Sequence, residues 1–323
     1  MTSAESIKAL LEKHREKKDL HITRGMCAWV VVSGGRVVDI DASGALNSCP
    51  LQRMLSKSGI EDYANEKIRE FGHFTARRRI ARSDIAVPYG TSEMFMWAMR
   101  KGVLDCAVTV CDGAGTVVSS DPAIVQGIGA RMNGLFYTTP ISEVLGGLRR
   151  EGCTVFDDAR IDQLRGLMAA IDAGHRKIAV SVNLCCGESL PEIRRIEREA
   201  GVSVLIAGIC STGAEKARAE EAVANADIAW SCASAYMRGE SRGALLQITT
   251  GIPIFVYTRK GLDLVAAYSD SAGSELIRGL DPARQHLLSS AHGGTRMKLG
   301  GNQLWLREEK LPVSGKHEPA PLR

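Results

Sequence analysis

The segment KIAVSVNLCCGESLPEIRRIEREAGVSVLIAGI (residues 177–209) decides the fold of this chain. It contains an apolar run from Lys177 to Val182, a helix-forming stretch from Leu190 to Ala200, and a second apolar run from Val202 to Ile209. Parallel strands need a long crossover connection, and a helix of this length supplies one. The segment therefore predicts a parallel β-sheet whose faces are covered by helices.

The same alternation continues on both sides of this segment. It predicts helices from Pro140, over 159–172 and over 213–225, and short strands at CTVF (153–156), DIAWS (227–231) and PIFVY (253–257). The N-terminal half differs: it predicts a helix over 4–19, a hairpin around Ser33-Gly34-Gly35, helices over 61–74 and 91–101, and a strand–turn–strand unit around Asp112-Gly113. We predict an α/β fold, with a C-terminal parallel sheet and flanking helices and an N-terminal α+β part.

The pattern divides the chain into three parts. We predict an α+β N-terminal domain over residues 1–138 and an α/β domain over 139–311. Residues 312–323, which are polar and rich in proline, are predicted to form a flexible tail.

Composition excludes several classes of protein. The 323 residues include 41 basic and 37 acidic side chains, a net charge of +4, and only 5% aromatic residues, so a nucleic-acid partner is not expected. No apolar run approaches the roughly 20 residues of a membrane helix, and the charged N-terminus lacks a signal-peptide core. We expect a cytoplasmic protein with no membrane partner, and a homo-oligomer remains open.

Cysteine is the most informative residue type. Nine are present, none in a C-x-x-C pair, and without a secretion signal we expect thiols. Several follow predicted strands directly: Cys111, Cys185, Cys186, Cys210 and Cys232. Ligands bind beyond the carboxyl ends of strands in open α/β sheets, so the pattern favours a shared thiol site, although small buried core residues are the alternative.

Two further features indicate an anion site. Ser211, Thr212 and Gly213 precede a predicted helix, whose N-terminus would favour a bound anion, or would simply be capped by them. Arg131 lies in a glycine-rich segment, 127–134, and a second such segment spans 111–116. Neither completes a dinucleotide fingerprint, so both could be tight turns, and a generic nucleotide-binding protein is disfavoured.

Three blocks resemble the methanogenesis marker protein 8 family: PYGTSEMFMWAMRKGVLDCAVTVCDGAGTVV (88–118), DPAIVQGIGARMNGLFYTTPISEVL (121–145) and ADIAWSCAS (226–234). The resemblance covers roughly residues 45–265. Its blocks contain a set of small, polar and thiol residues: Cys111, Asp112, Gly113, Gly115, Gln126, Gly127, Gly129, Arg131, Gly134 and Cys232. An alanine- and arginine-rich composition favours a bacterial member.

The resemblance implies a role in coenzyme M biosynthesis, as a coenzyme M synthase that converts sulfoacetaldehyde to 2-mercaptoethanesulfonate by reductive thiolation. Adding sulfur to a carbonyl and supplying two electrons suits thiol chemistry, which a redox-active dithiol or an iron–sulfur cluster could complete. The competing hypothesis is a non-catalytic assembly or maturation factor that carries sulfur or a cluster for a cofactor-bearing partner.

The candidate site residues follow from these arguments. The candidates for catalysis are Cys111, Cys232, Cys210 and Asp112, with Asp112 as a proton donor. The candidates for binding a small sulfonate substrate are Arg131, Ser211, Thr212, Gly113, Gly115 and Gly129. The candidates for metal ligation are Cys49, Cys185 and Cys186.

Overall fold

Two β-sheets organise the chain in the computed structural model, which describes residues 2–25, 27–43, 57–84, 87–132, 134–320 and 322–323. The strands of the described residues are β1 His21–Gly25, β2 Ala28–Ser33, β3 Arg36–Asp41, β4 Cys106–Cys111, β5 Gly115–Ser119, β6 Leu135–Thr138, β7 Thr154–Val155, β8 Lys177–Asn183, β9 Ser203–Ile209, β10 Ile228–Trp230, β11 Leu246–Ile248, β12 Ile254–Val256, β13 His286–Ser289, β14 Thr295–Leu299 and β15 Asn302–Glu308.

Helices cover the faces of both sheets. Those of the described residues are α1 Ser3–Lys13, α2 Lys57–Phe71, α3 Thr91–Arg100, α4 Pro122–Gly129, α5 Ser142–Arg150, α6 Gln163–Asp172, α7 Leu190–Ala200, α8 Lys216–Asn225, α9 Ala235–Glu240, α10 Arg259–Tyr268 and α11 Ser271–Arg278. No helix in these ranges combines the length and the apolar character that a bilayer span requires.

The smaller sheet has four antiparallel strands in the order β3-β2-β1-β6. The predicted hairpin is confirmed: β2 and β3 are joined at Gly34 and Gly35, which both have positive φ angles. Apolar residues on β2, such as Val30 and Val32, pack with Ile60 of α2 into one buried cluster. This sheet supplies residues that reach the larger one.

The larger sheet has eleven strands in the order β14-β15-β13-β11-β12-β10-β9-β8-β4-β5-β7. Strands β4, β8, β9 and β10 are parallel neighbours. The segment 177–209 predicts the pairing of β8 with β9, and α7 spans the predicted residues 190–200. The remaining strands make the sheet mixed, because β5 returns antiparallel to β4 and β12 lies antiparallel to β10. The predicted α/β class with flanking helices is confirmed.

Strands on both sides of residue 138 share the larger sheet. β4 and β5 belong to it, although β6, which ends at Thr138, belongs to the smaller sheet. The segment predicted as a tail contacts this sheet as well, since the Val313 amide donates to Gln247 and the Arg323 amide donates to the Ala233 carbonyl. The chain therefore crosses between the two sheets more than once.

Two local predictions differ from the structure. The glycine-rich segment 127–134 begins inside α4, which Asp121 caps through hydrogen bonds to the amides of Ala123 and Ile124. The helix predicted from Gly213 begins only at Lys216, because Ala214 N bonds to Ser211 O in a separate turn. The second difference moves Ser211 and Thr212 away from a helix N-terminus.

Candidate functional site

A cavity of about 350 Å³ lies at the carboxyl ends of the parallel strands. Its walls come from the segments that follow β8, β9 and β10, from the N-terminus of α3, and from Ile128, Gly129, Met132 and residues 134–136. Open α/β sheets bind their ligands beyond the carboxyl ends of the strands. We therefore consider this cavity the candidate active site.

Three thiols line the cavity: Cys186, Cys210 and Cys232. Cys210 and Cys232 have φ angles of 55° and 46°, a left-handed conformation that non-glycine residues rarely adopt. Burial raises the pKa of Cys210 well above its usual value, and the nearby Cys232 raises it further. Both residues line the same cavity, and strain of this kind is concentrated at functional sites.

Arg24 of β1 lies behind these thiols. Its guanidinium donates to the Thr212 carbonyl at 2.5 Å and lies 3.6 Å from the Cys185 sulfur, above the ring of Trp29. Within the described residues its hydrogen bonds go to a carbonyl, a thiol and the Ser3 hydroxyl, and none to a carboxylate. A half-buried cation without a carboxylate partner favours thiolates or a bound anion nearby.

Cys185 connects this cation to Cys210. Its sulfur lies 2.8 Å from the Cys210 carbonyl oxygen and 3.0 Å from the Thr212 carbonyl oxygen. Burial raises the pKa of Cys185, and Arg24 opposes that increase. Burial likewise raises the pKa of Cys186 to about 12. These thiols are therefore mostly protonated at neutral pH until a substrate or base changes their surroundings.

The cavity also contains polar groups that lack partners. The Oγ1 atom of Thr109 and the Nδ2 atom of Asn183 are buried, and within the described residues neither has a hydrogen-bond partner. Glu188 accepts a hydrogen bond from the Gln163 amide at 2.8 Å through Oε1, whereas its Oε2 has no partner there. Burial raises the pKa of Glu188. Buried polar groups without partners indicate a ligand that is to be bound.

Cys111 and Asp112 lie outside this cavity. Cys111 is fully buried among apolar residues such as Ile124 and Leu148, and burial raises its pKa far above the usual range. Asp112 accepts a hydrogen bond from Arg78 at 2.8 Å. Burial alone would raise the pKa of Asp112, but Arg78, His73 and the Phe74 amide together keep it well below its ordinary value. An ionised, fully paired carboxylate cannot donate a proton, so the structure assigns Asp112 to holding the fold together.

The glycines of the sequence blocks allow close packing. A Cβ on Gly115 would lie 2.1 Å from the Ala159 carbonyl oxygen, and one on Gly113 would overlap Ile141. Gly129 does line the cavity, where it packs against Ser92 of α3. None of these positions places a phosphate-type loop around a ligand.

Gly134 has the most direct relation to the thiols. A Cβ on Gly134 would lie 2.7 Å from the Cys210 sulfur, and the Gly134 carbonyl accepts hydrogen bonds from the Arg24 amide and the Thr23 hydroxyl. The block QGIGARMNGL (126–135) therefore shapes the wall against which Cys210 packs. Its glycine is required there because of the sulfur rather than because of an anion.

The candidate anion-binding residues have other partners. The Ser211 hydroxyl donates to the Trp230 carbonyl at 2.8 Å, and the Thr212 hydroxyl accepts from the Ala233 amide at 2.9 Å. Arg131 lines a small pocket elsewhere, together with Lys67 and His73. Ser211 and Thr212 thus support the loops that position the thiols, and Arg131 lies apart from them.

The metal-ligand candidates divide between two regions. Cys49 lies outside the described residues, whereas Cys185 and Cys186 belong to the thiol group beside Arg24. Among the described residues, no group of three or more His, Cys, Asp or Glu side chains is arranged to hold a metal ion. The described cysteines are all free thiols.

Sequence reasoning missed several site residues. Glu188 stands two positions after Cys186 in the same loop, so its place after a predicted strand was a usable signal. Arg24 and Cys27 precede Cys185 by more than 150 residues, and no pattern links them to it. The sequence places Thr91 and Ser92 only at the start of a predicted helix, yet both line the cavity.

Comparisons with known proteins cover most of the chain. A family model described as "Uncharacterized protein conserved in archaea (DUF2099)" matches residues 21–268. The chain is also similar to an uncharacterized protein of Methanocaldococcus jannaschii, with 33% identity over 270 residues, which is 80% of this chain and 94% of that relative. No solved structure matches the chain. The matched range includes Arg24 and every residue that lines the cavity.

Proposed function

We propose that this chain, which belongs to the family DUF2099 of proteins conserved in archaea, is a thiol-dependent enzyme of coenzyme M biosynthesis. The finer identification with methanogenesis marker protein 8 rests on the sequence blocks quoted above. The single observation that carries the proposal is that Cys186, Cys210 and Cys232 line one cavity at the carboxyl ends of the parallel strands. The proposed reaction is the reductive thiolation of sulfoacetaldehyde to 2-mercaptoethanesulfonate.

The first half of the reaction exchanges oxygen for sulfur. Sulfide adds to the aldehyde carbon, and loss of water from the resulting thiohemiacetal leaves a carbon–sulfur double bond. The departing oxygen needs a proton. Glu188 suits this step because it lines the cavity, burial raises its pKa, and its Oε2 has no hydrogen-bond partner in the described residues.

The second half of the reaction needs two electrons and two protons. The Cys210 thiol adds across the carbon–sulfur double bond, and the Cys232 thiolate then attacks the Cys210 sulfur. A disulfide forms, the electron pair of the broken carbon–sulfur bond goes to the substrate carbon, and that carbon takes up a proton. In sum, one aldehyde, one hydrogen sulfide and two cysteine thiols give one thiol, one water and one disulfide.

The sulfonate group needs donors, and the N-terminus of α3 provides them. This helix begins at Thr91, its N-cap residue Gly90 has no side-chain cap, and Gly90, Thr91 and Ser92 all line the cavity. The first amides of a helix have no intrahelical partner and favour a bound anion. The partnerless Thr109 hydroxyl faces the same space and offers a further hydrogen bond.

The test is an anaerobic assay of the purified protein with sulfoacetaldehyde, sulfide and a thiol reductant, in which 2-mercaptoethanesulfonate is measured by mass spectrometry. We expect Cys210→Ser and Cys232→Ser to lose at least about 100-fold in rate, because each removes one of the two sulfurs that form the disulfide. Cys111→Ala is the matched control, since this thiol lies outside the cavity, and it should retain activity.

Two outcomes would contradict the proposal. Full activity of both serine variants would exclude the dithiol step. No product from the wild-type protein with any thiol or dithionite reductant would favour the second candidate function, an assembly factor that carries sulfur for a partner. That function predicts instead that labelled sulfide opens a Cys210–Cys232 disulfide to a persulfide and a thiolate, and that the labelled outer sulfur then passes to a partner protein.

A further inference from the structure

We infer that Cys27 is the thiol through which an external, anionic thiol reductant returns electrons to the cavity cysteines, and that the reductant binds in a second, polar cavity. This cavity has a volume of about 220 Å³ and is lined by Cys27, Arg24, Thr212 and Arg323 among others. The inference rests on the proposed function in one respect: that function forms the Cys210–Cys232 disulfide, which must be reduced. Nothing in the proposed chemistry otherwise uses Cys27.

The position of Cys27 connects the two cavities. Cys27 and Thr212 both line the second cavity, and the Thr212 hydroxyl accepts from the amide of Ala233, the residue next to Cys232. Thr212 therefore lies between the second cavity and the backbone beside Cys232. Cys232 faces the first cavity and Cys27 faces the second, so thiol exchange between them would link the two.

The backbone supports this assignment. Cys27 has a φ angle of 69°, so the three cysteines Cys27, Cys210 and Cys232 all adopt the left-handed conformation. Such a conformation persists only where the surroundings hold the residue in place. Cysteine has no special preference for this conformation, whereas glycine and asparagine do. The presence of cysteine at all three of these positions indicates that the site requires the sulfurs.

The charges of the second cavity select the reductant. Arg24 has no carboxylate partner within the described residues, and both Arg24 and Arg323 lower the pKa of Cys27 against the effect of burial, which raises it to about 11. One carboxylate, that of Asp41, also lines this space. The two guanidinium groups favour a thiol that carries a carboxylate or another negative group over a neutral or cationic one.

The electron balance is closed by two exchange steps. The Cys27 thiolate attacks Cys232 in the Cys210–Cys232 disulfide, which forms a Cys27–Cys232 disulfide and releases the Cys210 thiolate. A first reductant thiol then attacks Cys27 and releases Cys232, and a second reductant thiol attacks the mixed disulfide and releases Cys27. Two external thiols become one external disulfide, and all three cysteines return to the thiol state.

The first experiment is disulfide mapping of the full chain after brief oxidation with diamide, which replaces turnover as the source of the disulfide. We expect peptides that join Cys27 to Cys232 in the wild-type protein, and Cys210 to Cys232 in the Cys27→Ser variant. Failure of the proposed function would leave this result intact, because no sulfoacetaldehyde is used. Absence of any disulfide at Cys27 would overturn the inference.

The second experiment measures how fast diamide-oxidised protein is reduced by mercaptoacetate, 2-mercaptoethanol or cysteamine, each normalised to its rate with a free disulfide. We expect the order anionic, neutral, cationic, with about tenfold between the ends at low ionic strength and less in high salt. Cys27→Ser should lose about tenfold with mercaptoacetate, whereas Cys153→Ser, on a different core cluster, should match the wild-type protein. Equal normalised rates for all three thiols would overturn the anionic class.

Discussion

The buried ion pair between Asp112 and Arg78 tests whether Asp112 stabilises the fold or takes part in the reaction. Asp112 is fully buried, and its carboxylate accepts hydrogen bonds from Arg78 Nε at 2.8 Å and from the Phe74 amide at 2.5 Å. Arg78 also donates to the carbonyls of Gly127 and Ile128 at the end of α4. The pair thus joins the β4–β5 hairpin to α4 through the segment 73–78.

Replacing Asp112 with Asn keeps the side-chain shape and removes the charge. Arg78 would then be a buried cation without a counter-charge, a change that costs about 3–5 kcal/mol in free energy of unfolding. The Arg78→Met variant should lose a similar amount, because it leaves the Asp112 carboxylate uncompensated. The double variant should lose clearly less than the sum of the two single losses, since it leaves no unpaired charge.

The stability difference between wild-type and Asp112→Asn protein should depend on pH in a defined direction. The folded-state pKa of Asp112 lies well below the value of about 3.9 that an unfolded aspartate has, because Arg78, His73 and the Phe74 amide together outweigh the effect of burial. The stabilisation is therefore fully present above about pH 4 and is lost as the pH falls below that value. The difference between the two proteins should shrink from pH 6 to pH 3.

Urea unfolding followed by circular dichroism measures these free energies, and the anaerobic product assay measures activity at a temperature where both proteins are folded. We expect the folded Asp112→Asn protein to retain activity within a few-fold. A loss of less than about 1 kcal/mol in stability, together with abolished activity, would refute this reasoning and return Asp112 to the role of proton donor.

Three further predictions concern the cavities. Gly134→Ala should lower activity at least about tenfold and cost about 1–3 kcal/mol in urea unfolding, because its Cβ would lie 2.7 Å from the Cys210 sulfur; wild-type activity would show that the wall is not rigid. Glu188→Gln should lower the rate about 100-fold while substrate affinity, measured by calorimetry, is retained; an unchanged rate would exclude Glu188 as the proton donor. Burial lowers the pKa of Lys67 to about 7, whereas an unfolded lysine has a pKa of about 10.4. Protonation therefore favours the unfolded state. The resulting loss in free energy of unfolding grows as the pH falls from about 10 to about 7. Lys67→Met should therefore stabilise the protein more at pH 6 than at pH 10 in urea unfolding, and an equal effect at both values would contradict the buried, neutral lysine.

The sequence by itself determines the parallel part of the sheet. Strands β8 and β9 and the helix α7 between them follow from the apolar runs and from the amphipathic pattern of residues 190–200, because local periodicity decides which face a helix or strand buries. The same reading places Cys186, Cys210 and Cys232 at one edge, since parallel strands all end on the same side. It also predicts the hairpin at Gly34-Gly35, because adjacent glycines between two apolar runs are typical of a tight turn.

Only the tertiary structure decides which strand-end residues face the cavity. Cys111 is the last residue of the parallel strand β4, which continues into the hairpin with β5. Cys111 therefore packs against α4 and α5 and not against the other thiols. Arg24 and Cys27 reach the site from the smaller sheet, more than 150 residues away in sequence from Cys185. Sequence patterns describe the face that each element buries, whereas contacts between distant elements depend on how the two sheets pack, and no local pattern encodes that packing.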